Sequence, residues 1–362
     1  KSVKKDFQKL LKNQPLFFET LKPTYKYSYS KKILSKNKKF SNIRVIGMGG
    51  SILGTEAIYN FLKKKIKKRI TFVNNLNSNA NYFNDKNINL NLIISKSGNT
   101  LETISNVNTL VKSKDQNIVI TENKDSYLSD LAKKLKSEIV EHKNYVGGRY
   151  SVLSEVGMLP AELMNLNEGK FKQFNNLIKN KTFINNLVNN VEATLNLIKG
   201  GKYTSVILNY DEQSENLFKW YQQLIAESLG KKSKGVLPII SSMPKDNHSL
   251  MQLYLDGPKK SFYTFFNVLD NKLIKINNNN IPASHKYLRN QSIEKIKQSQ
   301  MLATEKVFTS QKIPFRSIRV IRRDEQSLGE LFCFFILETI LLGRALNVNP
   351  FDQPSVELIK KE

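Results

Sequence analysis

From Ser41 onward, short aliphatic runs alternate with longer stretches of helical period, and this alternation is the strongest constraint on what the chain can fold into. A short apolar run reads as a strand buried on both faces. An amphipathic stretch after it reads as a helix that crosses over the sheet, so repeated strand-helix-strand units imply a parallel sheet with helices on both sides. In the first half the spacing predicts strands over 43–46, 70–73, 90–94, 118–121 and 138–140, with helices over 53–67, 100–112, 126–135 and 153–166. Residues 171–198 read as helical connectors rich in Asn and Lys, after which the alternation restarts. Strands are expected over 204–208, 236–240, 262–268 and 318–321, with helices over 215–229, 248–255, 293–309 and 328–346. The expected architecture is α/β, with two similar halves, each a mainly parallel sheet flanked by helices. A chain of 362 residues is long enough for two such domains. The expected division is a short N-terminal helical extension over 1–40, a first domain over 41–165, a connector over 166–200, a second domain over 201–346 and a tail over 347–362.

Charge narrows the class of partner. There are 57 Lys and Arg against 31 Asp and Glu, a net charge of +26. The cations are scattered through nearly every segment and accompanied by asparagines, as in KSKNKKFSN and KINNNN, so they form no single basic face. No aromatic-rich RNA-binding signature or helix-turn-helix pattern accompanies them, and a nucleic-acid partner is not expected. A diffuse positive field still attracts a phosphorylated metabolite. Cys333 is the only cysteine, which excludes an intrachain disulfide and metal-thiolate clusters, and its setting in LFCFFIL is that of a packing residue. The apolar segment 328–346 contains Glu330, Glu338 and Arg344, which interrupt the span a bilayer requires, so it reads as a buried helix and no membrane is implied. The opening KSVKKDFQKLLK lacks an apolar run of signal-peptide length, which makes the cytoplasm the expected compartment.

Several motifs carry chemistry. In WYQQLIAESLGKKSKG, residues 220–235, the carboxylate of Glu227 shares a helix stripe with Trp220, Gln223 and Leu224. A carboxylate drawn out of water beside an indole and a leucine takes and returns a proton more readily, as a general base must; a solvated glutamate near a helix end is the plainer reading. GMGGSILG at 47–54 follows a strand and opens a helix, so its amides suit an anion, or else the glycines serve a tight turn. A nicotinamide cofactor is disfavoured, because Ile52 stands where the dinucleotide fingerprint needs glycine, and Asn74 and Asn75 where it needs an acid. SKSGNT at 95–100 places Ser95, Lys96, Ser97 and Thr100 on one strand-to-helix turn, a density of donors that suits a phosphate, although Ser and Thr also cap helices. In VGGRYSVLS, Arg149 follows two glycines that let the backbone approach a ligand; a surface arginine in a glycine turn has the same pattern. His248, in DNHSLMQLYLDGP, has the most site-like neighbours of the three histidines, His142 and His285 lying in lysine-flanked sequence. No histidine and carboxylate pair has metal-ligand spacing. The tail NPFDQPSVELIKKE, with Pro350, Phe351 and Pro354, reads as tied down.

Taken in order, GMGGSILGTEA, SKSGNTLET, VGGRYSVLS, WYQQLIAESLGKKSKG, DNHSLMQLYLDGP and NPFDQPSVELIK resemble the glucose-6-phosphate isomerase, or phosphoglucose isomerase, family from Gly47 to Lys360. The resemblance implies two flavodoxin-like sugar-isomerase (SIS) domains, an active site between them in a homodimer, and reversible isomerisation of glucose 6-phosphate and fructose 6-phosphate through a cis-enediol, in glycolysis and gluconeogenesis. It implies no cofactor and no metal. By motif position, Glu227 is the proton-transfer base and Arg149 stabilises the enediolate. His248, reaching in from the partner subunit, and Lys360 assist ring opening. Ser95, Lys96, Ser97 and Thr100 hold the phosphate, and Gly50, Ser51, Gly148, Gln223 and Gln353 line the sugar pocket. The chain is short for the family. Its SGNT loop is also similar to that of the bifunctional phosphoglucose/phosphomannose isomerases, and a non-catalytic sugar-phosphate-binding SIS protein would use the same loops without Glu227, Arg149, His248 or Lys360.

Overall fold

The computed structural model describes residues 2–77, 90–269 and 274–359. Strands β1 (Asn42–Gly47), β2 (Arg69–Val73), β3 (Leu90–Ile94), β4 (Gln116–Thr121) and β5 (Glu138–Glu141) form one sheet in the order β2-β1-β3-β4-β5, with every neighbouring pair parallel. This is the flavodoxin-like order, and its reversal between β1 and β3 opens a crevice at their carboxyl ends. β6 (Thr204–Asn209), β7 (Leu237–Ser242), β8 (Ser261–Val268) and β9 (Phe315–Val320) form a second parallel sheet in the order β7-β6-β8-β9, reversing between β6 and β8. The central strands are largely apolar because helices cover both faces, and every residue of β3 is buried.

The helices of eight residues or more are α1 (Val3–Lys12), α2 (Leu53–Phe61), α3 (Leu101–Leu110), α4 (Tyr127–Lys134), α5 (Glu155–Leu163), α6 (Lys181–Lys199), α7 (Glu215–Leu229), α8 (Ile293–Ser310) and α9 (Glu325–Ala345) among the described residues. α7 lies against α2 of the first half and α9 of the second, so the catalytic-helix candidate forms the seam. Its apolar face supplies Trp220 and Leu224, at 1% and 0% exposure, and Trp220 meets Phe332 edge-on at 4.8 Å between ring centroids. Charged struts also cross the structure, Arg323 pairing with Asp211 at 2.6 Å and Lys65 with Glu325 at 2.6 Å. α9 is the longest described helix, and none is long and apolar enough to cross a membrane. Within it Cys333 is buried, its thiol pushed up to about 12 by burial, and Glu338 pairs with Arg316 and accepts from the Tyr221 hydroxyl at 3.1 Å.

Several expected helices begin or end elsewhere. The stretch predicted over 53–67 stops at Phe61 and continues as a tight turn, Lys63–Lys65. That predicted over 153–166 starts at Glu155, where Ser154 accepts the amide of Val156, because Gly148–Leu153 forms a separate 3₁₀ turn. That predicted over 248–255 forms only as Met251–Asp256. The Asp246 carboxylate accepts from the Ser242 amide at 2.7 Å and from the hydroxyls of Ser241 and Ser249, both at 3.0 Å, and so holds the preceding residues in a turn. His142, expected in loop-like sequence, extends the β5 edge, its amide donating to Thr121 O at 2.8 Å, and burial holds its imidazole down at about 4.

Lys172 joins the N-terminal segment to the Gly148–Leu153 turn. Its ammonium donates to the main-chain oxygens of Thr20, at 2.5 Å, and Leu153, beside the rings of Tyr25 and Tyr27 at 5.2 and 4.9 Å. Burial pulls its pKa from 10.5 down to about 7. Between those values the unfolded chain holds a proton here that the folded chain does not, so the contribution of this site to stability rises with pH across that window. Urea unfolding of the wild type and Lys172→Met from about pH 6.5 to about pH 9.5 is expected to show the wild type gaining about 3 kcal/mol relative to the variant. A difference independent of pH would show that burial does not depress this amine.

Candidate active site

The glycines after β1 permit a close approach that any side chain would block. Gly49 is left-handed at φ +52°, and a Cβ on it would lie 2.8 Å from Gln223 Nε2. A Cβ on Gly50 would lie 2.3 Å from the carbonyl carbon of Gly148 and 2.6 Å from the amide nitrogen of Arg149. The loop is therefore pressed between the Arg149 turn and α7, and Ser151 braces the junction by donating to Gly148 O at 2.7 Å. Ser51 lies beside it, nearly buried.

After β3, the Ser95 and Thr100 hydroxyls share a hydrogen bond of 2.9 Å, and Ser97 Oγ lies 3.5 Å from Thr100 while accepting the Asn99 amide at 3.2 Å. Gly98, at φ +70°, lets this turn pack on the start of α4, where a Cβ would lie 2.2 Å from Ser126 Oγ. The expected cluster of hydroxyls is present on one turn. Lys96 directs its ammonium to Asn144 O at 2.9 Å and lies 3.6 Å from Glu122, so its charge is engaged by protein acceptors in this state.

Arg149 is the centre of the site. Its side chain is 3% exposed, and every one of its five N–H donors is used. Nε donates to Ser228 Oγ at 2.9 Å; Nη1 donates to Glu227 Oε2 at 3.1 Å and Gln353 Oε1 at 2.7 Å; Nη2 donates to Pro350 O at 2.7 Å and Asp352 O at 2.9 Å. Tyr150, its neighbour in sequence, donates to Pro350 O at 2.9 Å and lies 3.0 Å from Ser228 Oγ, which leaves the serine as the donor of that bond. Burial pushes the Tyr150 phenol up, so it stays protonated. The surface reading of Arg149 fails, because its charge is fixed by separate stretches of chain. Nη1 is the exchangeable edge, since its partners are side chains, whereas Nη2 is locked on main-chain carbonyls.

Glu227 is half-buried, at 29% side-chain exposure, rather than withdrawn among the apolar residues of its stripe. The stripe runs from the core at Trp220 and Leu224 to the crevice at Gln223 and Glu227. Gln223 Nε2 donates to Glu227 Oε1 at 2.8 Å, and its Oε1 is buried without a partner among the described residues. The other expected residues divide three ways. Gln353 joins the cluster through Arg149, and Gly148 faces open space, with nothing within 4 Å of where a Cβ would stand. His248 is exposed on the turn after β7, outside the hydrogen-bonded cluster around Arg149. Lys360 lies outside the described residues. Sequence reasoning gave no role to Tyr150 or Ser228; each directly follows a residue it did single out, but only long-range packing brings the two together. Among the described residues, no group of three or more His, Cys, Asp or Glu is placed to hold a metal ion.

Two flavodoxin-type halves, a hydroxyl-lined turn at the first switch point and a carboxylate facing a fixed guanidinium define a sugar-isomerase (SIS) α/β protein. The chain belongs to the phosphoglucose isomerase family, whose model matches residues 28–362. It is 34% identical over 348 residues to the glucose-6-phosphate isomerase of Methanocaldococcus jannaschii, covering 89% of this chain and 83% of that protein. Among solved structures, a hypothetical protein from Thermus thermophilus superposes with a TM-score of 0.86 at 22% identity, over 99% of this chain and 92% of that one. A glucose-6-phosphate isomerase from Chlamydia trachomatis superposes with a TM-score of 0.72 at 20% identity, over 91% and 70%. The family makes the chain an aldose-ketose isomerase.

Gly50→Ala tests the close approach. The added methyl must displace the Arg149 backbone, and a misplacement of about 1 Å is expected to lower kcat roughly 100-fold with circular dichroism unchanged. Wild-type turnover in a folded Gly50→Ala protein would show that the contact does not position the arginine.

Proposed function

We propose that the chain interconverts glucose 6-phosphate and fructose 6-phosphate by moving a proton between carbon 2 and carbon 1 through a cis-enediol, with Glu227 as the base. The observation that carries this reading is the pairing of Glu227 with Arg149 at 3.1 Å, on the one edge of the guanidinium that is free to exchange partners. When Glu227 turns from Nη1 to take a proton from the sugar, that N–H is released toward the oxygen on which negative charge develops. Base and electrophile are thus made available in the same movement, and the cation needs no reorganisation because Nε and Nη2 stay fixed. The interchange is internally redox-neutral, so a proton carrier and a fixed cation are sufficient for it.

The same reading assigns the remaining groups. The Ser95, Ser97 and Thr100 hydroxyls, with the amides of their turn, receive the phosphate, and Lys96 joins them by exchanging Asn144 or Glu122 for it. The unpartnered Oε1 of Gln223 accepts from a sugar hydroxyl. Gly50, Ser51, Gly148 and Gln353 shape the sugar pocket. Ring opening falls to His248 and Lys360. The exposed position of His248, apart from the Arg149 cluster of its own chain, supports a homodimer in which each histidine serves the partner's site. The compartment we assign is the cytoplasm.

Two experiments test these assignments. With fructose 6-phosphate and a coupled assay for glucose 6-phosphate, Glu227→Gln is expected to lose about 1,000-fold or more in kcat while retaining ligand binding by calorimetry; equal turnover would remove Glu227 as the base. Mixing the separately inactive Glu227→Gln and His248→Ala proteins after mild dissociation is expected to restore up to about a quarter of wild-type activity, because random pairing gives half heterodimers, each with one intact site. No recovery in a mixture shown to exchange subunits would place His248 in its own chain's site or in none.

A further inference from the structure

The second part of the catalytic block, GKKSKG at 230–235, has no part in the sugar chemistry above. Its conformation is costly. Lys232 and Ser233 are both left-handed, at φ +53° and +54°, a region that non-glycine residues enter only when the surroundings enforce it. The result of this turn is the placement of two ammonium groups. Lys234 donates to Leu346 O, at the end of α9, at 2.8 Å. Lys231, 10% exposed, donates to Ser228 O at 3.1 Å and to Asn349 O, and pairs with Asp352 Oδ1 at 3.0 Å.

An ammonium has three donors, and Lys231 has three acceptors, so none remains for a substrate phosphate. Its acceptors lie on the last turn of α7 and on the tail at Asn349 and Asp352. The same tail turn presents Pro350 O and Asp352 O to Arg149 Nη2 and carries Gln353 to Nη1. The turn has further support, Asn349 donating to the Asp352 carboxylate at 2.8 Å and Phe351 packing 5.8 Å from Phe17 and from Tyr150. Lys231 ties that turn directly to the helix that bears Glu227.

We propose that Lys231 is a positioning residue for the isomerisation, clamping the tail turn 349–352 to the end of α7 so that the tail's carbonyls hold Arg149 in register with Glu227. The inference rests on the assignment of Glu227 and Arg149 made above. Removing the ammonium leaves Arg149 charged and buried but with two of its carbonyl acceptors on a loosened segment. Turnover suffers more than substrate affinity, since the guanidinium is needed most where negative charge develops.

The test is steady-state kinetics on fructose 6-phosphate for Lys231→Met, Lys231→Arg and Asp352→Asn, alone and with Arg149→Lys, with thermal unfolding of each. Lys231→Met is expected to lose about 10- to 100-fold in kcat with KM changed by less than about threefold, Lys231→Arg to recover most of it, and Asp352→Asn to lose less because both main-chain acceptors remain. In the Arg149→Lys background, which lacks the planar fork, the Lys231→Met penalty is expected to shrink to within about twofold. A Lys231→Met kcat equal to wild type, or a penalty undiminished in the Arg149→Lys background, overturns the proposal; so does a loss that follows unfolding and disappears on cooling. Failure of the underlying reading gives a different result, namely a wild type without turnover or an Arg149→Lys protein as active as the wild type.

Discussion

Burying the Arg149 guanidinium is the constraint on which the rest of the site depends. A cation at 3% exposure is tolerated only if its donors are satisfied, and here the five acceptors come from α7 and the C-terminal tail, while the arginine itself sits on the turn after β5. None of these segments can shift without leaving a charged donor unpaired. The tail is consequently held in place through Gln353. The carboxylate beside the guanidinium is placed by the same requirement. In the reaction proposed above, stability and chemistry are therefore served by one group, and the division between its locked and exchangeable edges keeps them compatible.

The fold delivers these segments by close packing of backbone on backbone. Gly50 allows the loop after β1 to touch the Gly148–Arg149 peptide, and Gly49 allows it to touch Gln223. These contacts link the first switch point, where the hydroxyl turn also lies, to α7 of the second half. The apolar face of α7 then fixes its rotation, because Trp220 and Leu224 point into the joint core. With that face committed, Gln223 and Glu227 must face the crevice. The polar end of the stripe is a consequence of the buried end.

Much of this was legible in the sequence because it follows from periodicity. All nine described strands overlap the apolar runs that predicted them, and the parallel order follows from the crossover helices. What was not legible depends on side chains that meet across the chain. The helix expected at 248–255 yields to Asp246, whose carboxylate takes a local amide and two serine hydroxyls and so favours a turn. The partial exposure of Glu227 could not be read from its stripe, since helix spacing shows which residues share a face but not where the face meets solvent. Ser228 and Tyr150 escaped for a similar reason. A serine after a glutamate and a tyrosine after an arginine are ordinary neighbours until a proline carbonyl far along the chain completes the run of hydrogen bonds.

The cation excess reads differently in the folded chain. With 57 Lys and Arg for 31 Asp and Glu, carboxylate partners are too few, and several lysines take main-chain carbonyls in their place. Many of these acceptors lie at the ends of helical turns, where carbonyls are unpaired and the dipole favours a cation. Lys172 takes Thr20 and Leu153, Lys231 takes Ser228 and Asn349, Lys234 takes Leu346 and Lys259 takes Leu255. Each tie runs from a flexible side chain to a rigid element, and those of Lys172, Lys231 and Lys234 join segments distant in sequence. A composition drifting toward lysine at the expense of acids can therefore keep its tertiary ties by changing the acceptor. Such ties hold the turn bearing Arg149 on one side and the tail that fixes it on the other, so charge that resembles a nucleic-acid surface in the composition is in part internal scaffolding of the site.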